Sequence, residues 1–356
     1  MYLDNFLDSA FKTVNEKHLF HEKISQQLIP LKQNPLPNTN QTIVLKMKKA
    51  TPTGIIAGVD SGFVSKKLSF LDLVLVRAVG AIFYYEKGIL KKAEYYPNAF
   101  SFPEPLLLKS GLEKDEEQQS VSLTRLSAEV NTSISIIEKY KPKYIFVDGS
   151  IVPQYQDKPR NDSKINLDYT SIIHLFEKFY NVAEKNNCTI ISCVEDSRGT
   201  RFKQLLEEEI LPKTSLKISL KDAFDSSLLD YLLFEGERTF AFPYTKNTSA
   251  HAILKDLNEK WSKNINVFYL KASSFDRPLR VEFISDKSNL KEKADEIAGI
   301  VYSLSSLHRE YSYPSVLIEA DMRAGLNEQD ISVVYDKLID KLGPKIRMRR
   351  NSRPFK

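Results

Sequence analysis

Three carboxylates stand where their side chains could do chemistry. Asp60 closes the apolar run Gly54-Ile-Ile-Ala-Gly-Val-Asp, and Asp148 closes Tyr144-Ile-Phe-Val-Asp. Glu129 lies between them on a helical stretch, three residues after Leu126 and seven before Ile136, at the edge of that helix's apolar stripe. A charge at a buried position is costly unless it is paired or binds a metal. Sheet proteins commonly place binding groups at strand ends. A strand Asp, a helix Glu and a second strand Asp brought to one end of a sheet repel one another. Hard divalent cations relieve that repulsion. Two such ions can activate water and stabilise the leaving oxygen of a phosphodiester. Each acid also has a plainer reading. Asp60-Ser61-Gly62 and Asp148-Gly149-Ser150 are turn sequences, and Glu129 alone reads as a surface acid. The pointer to a metal centre is the order of all three on strand, helix and strand.

The elements that must position these acids can be read from periodicity. Residues 1–27 form a helical apolar stripe through Leu3, Phe6, Leu7, Ala10, Phe11, Val14 and Leu19, and Pro30–Pro37 reads as a linker. A strand ends at Asp60. Leu71–Tyr96, broken at Glu86-Lys87-Gly88, reads as a hairpin, and Pro103 and Pro105 mark a loop. A helix is expected over 115–140, stopped by Lys141-Pro142, then a strand to Asp148, a helix over Asp168–Asn186 and a strand from Thr189. Residues 201–262 read as mostly helical, with Lys221–Phe234 clearest. Two strands follow, Val267–Leu270 and Leu279–Ile284, then a helix over Lys291–Leu307 and a segment from Tyr313-Pro314 to about Gly325. Antiparallel strands first and parallel βα units after is the order of an RNase H-like mixed α/β sheet flanked by helices.

Bulk properties narrow the class. The 356 residues are 42% hydrophobic and 27% charged, an ordinary globular balance. No apolar run approaches the roughly 20 residues that span a bilayer, and no secretory signal opens the chain. The only cysteines, Cys188 and Cys193, lack metal-knuckle spacing and read as buried reduced thiols, so a cytoplasmic protein without a membrane anchor is expected. The net charge of +5 is unevenly spread. Residues 341–356 carry Lys341, Lys345, Arg347, Arg349, Arg350, Arg353 and Lys356 and no acid. The rest of the chain is left at −2, the difference between +5 and +7. Such a tail suits a phosphate backbone or an acidic partner; it reads equally as a solvated terminus.

Five segments together resemble the NurA nucleases, partners of HerA-type hexameric DNA translocases. They are Gly58-Val-Asp-Ser-Gly62, Arg125-Leu-Ser-Ala-Glu129 with Val147-Asp-Gly-Ser150, Glu195-Asp-Ser-Arg198, Arg280-Val-Glu282, and Tyr313-Pro-Ser-Val-Leu-Ile-Glu-Ala-Asp321. The resemblance implies a Mn²⁺- or Mg²⁺-dependent DNA nuclease with one or two ions and 5′→3′ exonuclease and single-strand endonuclease activity. It further implies a homodimer working with a HerA-type ATPase in DNA end resection. Carried over by position, Asp60, Glu129, Asp148 and Asp321 would hold metal, with Asp321 a ligand or a base. Tyr313 would sit beside them and orient water or phosphate. Lys66, Asp196, Arg198, Arg349 and Arg350 are candidate DNA contacts, against plainer readings as a solvated lysine, a helix-capping Asp, a salt-bridged Arg and a solvated tail. Arg280 and Glu282 are expected to pair on their strand. The expected organisation is an N-terminal helix and linker over 1–40 that contacts a partner or second subunit, a nuclease domain over 41–340 with the helical insertion near 201–262, and a basic tail over 341–356. The rival readings are an inactive DNA-binding adaptor for the translocase and another RNase H-like nuclease.

Overall fold

A computed structural model describes residues 2–36, 41–68, 72–108, 111–221 and 223–343. Its strands are β1 (Val44–Lys46), β2 (Gly54–Lys67), β3 (Asp72–Glu86), β4 (Ile89–Tyr96), β5 (Glu104–Leu107), β6 (Tyr144–Asp148), β7 (Thr189–Val194), β8 (Glu237–Thr239), β9 (Phe242–Pro243), β10 (Ile265–Lys271) and β11 (Leu279–Ile284). Its α-helices are α1 (Tyr2–Leu28), α2 (Lys114–Tyr140), α3 (Asn166–Lys185), α4 (Arg201–Leu205), α5 (Asp225–Leu232), α6 (Glu259–Ser262), α7 (Leu290–Ser305), α8 (Ser315–Ala324) and α9 (Glu328–Leu342). The chain divides into two compact units. Unit 1 holds residues 1–51, 193–246 and 264–314, and unit 2 holds 52–192, 247–263 and 315–356.

Unit 2 contains the long hairpin. β2 pairs antiparallel with β3 along its whole length, from Gly54↔Tyr85 to Lys67↔Asp72. The turn to β4 uses Lys87 and Gly88, both at positive φ (48° and 84°), as a tight two-residue hairpin turn requires. β6 lies parallel to β2 on its other side, from Ile56↔Tyr144 to Val59↔Val147, and the strand order runs β7-β6-β2-β3-β4. Three antiparallel strands followed by parallel βα units make this an RNase H-like mixed sheet flanked by helices. α2 opens with a capping box between Glu113 and Glu116, and it stops where Lys141 turns left-handed (φ 49°) ahead of Pro142. Its buried stripe, with Val130, Ile134 and Ile137, packs on β2 and β3. α9 covers the far half of the hairpin, where Ile331 and Tyr335 meet Leu68, Leu73 and Leu75.

Unit 1 is antiparallel, in the order β1-β8-β10-β11 with β9 also on β10. Its core joins Phe202, Phe240, Phe242 and Tyr269 to Leu228, Leu229 and Leu232 of α5. Among the described residues, no helix is long and apolar enough to cross a membrane.

Several expectations change in detail. β2 does not end at Asp60 but runs to Lys67, because β3 continues to supply an antiparallel partner. Pro103 lies in a loop as expected, but Pro105 falls within β5 on the edge of β3, where a proline's missing N–H can face solvent. The 201–262 segment holds only short helical turns, interrupted by β8 and β9. α1 forms as expected, but Leu3, Phe6, Leu7, Phe11, Val14 and Leu19 are exposed, and its buried contacts come from Ile24, Ser25 and Leu28.

Candidate functional site

The parallel ladder between β2 and β6 sets two acids side by side. Val59 pairs with Val147, so the next residues, Asp60 and Asp148, follow at the point where β6 ends and β2 runs on. Side chains alternate along an unbulged strand. Asp60 therefore shares a face with Gly58 and Gly62, the face on which α8 packs, and Ser61 faces the side covered by α2. Asp148, in the same phase, shares the face of Asp60. α8 brings Asp321 to that face, and Asp321 shares a hydrogen bond with the Asp60 carboxyl. Glu129 comes from the opposite side. It is buried on α2, where Ser61 Oγ donates to its Oε2 at 2.6 Å and Arg125 Nη1 donates to the same oxygen at 3.2 Å. Arg125 Nη1 also reaches Ser61 Oγ at 3.2 Å.

The electrostatics follow from this packing. Burial pushes the Asp60 carboxyl up to about 7, helped by the charges of Asp148 and Asp321 and opposed by the Ser61 backbone N–H, which donates to Oδ1 at 2.7 Å. Burial likewise pushes Glu129 up to about 8; Arg125 and the Ser61 hydroxyl hold it down, and Asp60 and Asp148 push it further up. The Asp60 and Glu129 carboxyls thus feel the charge of neighbouring acids, and the Arg125 guanidinium opposes it at Glu129.

This donor set fits a hard divalent cation. It offers carboxylate oxygens only, and they repel one another until a cation is added. Asp60, Asp148 and Asp321 would hold such an ion from one face. Glu129 would have to trade its bonds to Ser61 and Arg125 to join them. Accordingly, among the described residues no three His, Cys, Asp or Glu side chains are already gathered into a metal-holding cluster. A cleft of about 670 Å³ in unit 2, between α2, α3 and the hairpin, is lined by Arg77, Tyr96, Ser120, Thr124 and Asn131 and by none of the four acids. The carboxylate chemistry therefore lies outside that cleft.

The other residues singled out in the sequence are placed as follows. Tyr313 belongs to unit 1. It is buried, and its hydroxyl donates to the Cys193 carbonyl at 3.0 Å. Lys66 lies over the Tyr335 ring at 4.4 Å and reaches Ser332 of α9, and the next residue along β2, Lys67, pairs with Glu117 at 2.7 Å. Both lysines are thus engaged in packing unit 2. Asp196 forms an exposed pair with Arg277 at 2.9 Å, and Arg198 is exposed. Arg280 and Glu282 form the expected pair, at 2.6 Å and almost fully buried. Cys188 and Cys193 are buried thiols that form no disulfide. Lys341 ends α9; Arg349, Arg350 and the rest of the tail from 344 lie outside the described residues.

Sequence reasoning gave no role to Ser61 or Arg125, the two residues that hold Glu129. The signal available was the Arg125–Glu129 spacing, an i,i+4 pair on one helix face. Ser61 could be found only once the strand's phase against α2 was known.

The fold has known relatives. The NurA domain family model matches residues 54–326, more than half of the chain. The crystal structure of the NurA nuclease from Sulfolobus solfataricus is 15% identical, with a TM-score of 0.59 over 96% of this chain and 95% of that one. A crystal structure of NurA bound to dAMP and manganese is 11% identical, with a TM-score of 0.50 over 99% of each chain. No curated protein matches the sequence. From the matched span and the common fold, the chain belongs to the NurA family.

Proposed function

We propose that this protein is a divalent-metal-dependent DNA nuclease whose centre is the carboxylate set of unit 2. The observation that carries the reading is the adjacency of Asp60 and Asp148 at the end of the parallel ladder, with Asp321 on the same face and Glu129 behind. A relative's structure described as a nuclease, and another described as bound to dAMP and manganese, support the activity and the metal. When bound, a Mn²⁺ or Mg²⁺ ion supplies positive charge that makes water more acidic and offsets charge building on a phosphodiester. Asp60, Asp148 and Asp321 present the oxygens that hold it. Ser61 and Arg125 orient Glu129, and Arg125 keeps a cation at the edge of the site where an anionic backbone would arrive. On the strength of their motifs, Arg198 contacts DNA and Tyr313 orients water or phosphate.

In its finer form the reading is of a 5′→3′ exonuclease on single and double strands that is also a single-strand endonuclease. It acts in end resection as a cytoplasmic homodimer docked on a HerA-type translocase. The exposed apolar residues of α1 support a partner or second-subunit contact there. The test is cleavage of DNA labelled at either end, single- or double-stranded, with Mn²⁺, Mg²⁺ or EDTA, alone and with the translocase and ATP. Metal-dependent release of labelled nucleotides from the 5′ end is expected. Absence of cutting under every one of these conditions would leave a DNA-binding adaptor instead.

A further inference from the structure

Two glycines and an arginine in unit 2 have no role in the account so far. A Cβ built on Gly58 would lie 2.7 Å from the Val316 carbonyl oxygen, and one on Gly62 would lie 2.5 Å from the Ala324 carbonyl oxygen. Both obstacles are backbone, which cannot swing aside. Helix α8 therefore rests directly on the bare backbone of β2 at both ends of the Gly58-Val-Asp-Ser-Gly62 motif. The spans match. Val316 to Ala324 is eight helical residues, about 12 Å, and Gly58 to Gly62 is four strand residues, about 13 Å. With its ends seated on the two glycines, the middle of α8, Ala320 and Asp321, comes level with Asp60. Directly across the ladder from Gly62 stands Arg77. Its Nε donates to the Ala324 carbonyl at 3.4 Å, its Nη2 donates to the Gly325 carbonyl, and its Nη1 reaches the Ser101 carbonyl at 3.3 Å. A guanidinium on the last carbonyls of a helix satisfies groups left without helical partners and opposes the negative end of the helix. On the outer side Tyr95 donates to Glu319 at 2.7 Å, and Glu319 pairs with Arg323 at 2.9 Å, so α8 is fixed along both edges.

We propose that Gly58, Gly62 and Arg77 are positioning residues that seat α8 on β2, so that Asp321 is delivered to Asp60 and the affinity of the site for a divalent cation depends on that seat. This rests on the metal-centre reading above. The glycines of the motif are then required by the close approach of a helix rather than by a turn or a phosphate. A methyl group at either position lifts α8 and withdraws Asp321, and loss of Arg77 frees the end of the helix.

The test is calorimetric titration of Mn²⁺ into the full chain, with no DNA and no turnover, for the parent, Gly62→Ala, Asp321→Asn and the double variant. Gly62→Ala should weaken Mn²⁺ binding about tenfold or more, the range seen when supporting groups of a metal site are lost. Asp321→Asn should weaken it similarly. The double variant should be within about threefold of Asp321→Asn, because both changes remove the same carboxylate. Circular dichroism checks the fold. If Gly62→Ala does not fold, Arg77→Met, which adds no bulk beneath the helix, carries the same comparison. Parental affinity in the folded variant, or a second full loss on top of Asp321→Asn, overturns the seat. A parent that binds no Mn²⁺ overturns the metal reading itself.

Discussion

Each unit buries charge, but the two balance it differently. In unit 1, Arg280 and Glu282 face each other at 2.6 Å; burial pulls the arginine's pKa down, but Glu282, Tyr269 and Tyr244 together outweigh it and hold the guanidinium above its ordinary value. Asp225, fully buried nearby, is pushed up by burial but pulled back by two backbone N–H donors, Lys203 and Phe202, each at 2.9 Å, and by Arg280 and the Tyr269 hydroxyl, which donates to it at 3.2 Å. Every charge there has an opposite charge or a donor. In unit 2, the buried carboxyls of Asp60 and Glu129 are pushed up by burial and by neighbouring acids, Asp148 among them, with Arg125 set against this at Glu129. A buried charge met by an opposite charge supports structure, whereas buried carboxyls crowded by further acids mark a candidate functional site.

The largest expected effect is at the acid cluster. Asp148→Ala should lower metal-dependent DNA cleavage roughly a thousandfold or more, with the thermal midpoint unchanged or raised, because one repelling acid is gone. A variant that cuts at the parental rate removes Asp148 from the site.

Next comes the matched pair. Glu282→Ala leaves Arg280 buried without its carboxylate and should cost about 3–5 kcal/mol in urea unfolding. Replacing both together with apolar residues of similar size should cost far less. Equal costs for the single and double changes would mean that the pair is not the unit of stability.

The contrast also predicts a pH dependence. Asp60 and Glu129 hold protons up to about 7 and about 8 when folded, against 3.8 and 4.5 ordinarily. The folded state therefore binds more protons than the unfolded chain across that window. Stability contributed by these groups falls as pH rises from about 4 to 8, the reverse of a salt-bridged carboxylate. Without added metal, Asp60→Asn should flatten this fall, and Mn²⁺ should oppose it. A parent whose unfolding free energy rises steadily across the window would contradict the assignment.

The smallest effect is expected at Lys67, whose side chain is 38% exposed in its pair with Glu117. Lys67→Ala should cost no more than about 1 kcal/mol and should leave DNA affinity nearly unchanged. A large loss of affinity in a filter-binding titration would restore the phosphate-contact reading for this stretch of β2.

Much of the frame was legible in the sequence. Asp148 at its strand end, the Lys87-Gly88 turn, α2 and the two late strands all carry local signals in propensity or punctuation. The features that were not legible are tertiary. That β2 continues past Asp60 depends on a partner strand seventeen to nineteen residues away along the chain, as in Asp60↔Val79 and Ser61↔Ala78. Glu129 reads as an edge residue because its burial is supplied by Ser61 on a different element. β5 was hidden by Pro105, which a short edge strand tolerates. α9 was missed because charged residues dominate its sequence, and its apolar residues meet the hairpin only in the fold.

The measurement that bears most directly on the central claim compares the parent with Asp60→Ala on end-labelled single-stranded DNA, in Mn²⁺ and in EDTA, with circular dichroism of both. The account predicts cutting by the parent in Mn²⁺ alone, none by Asp60→Ala, and identical folds. Undiminished Mn²⁺-dependent cutting by a folded Asp60→Ala variant would contradict it and move the active centre elsewhere in the chain.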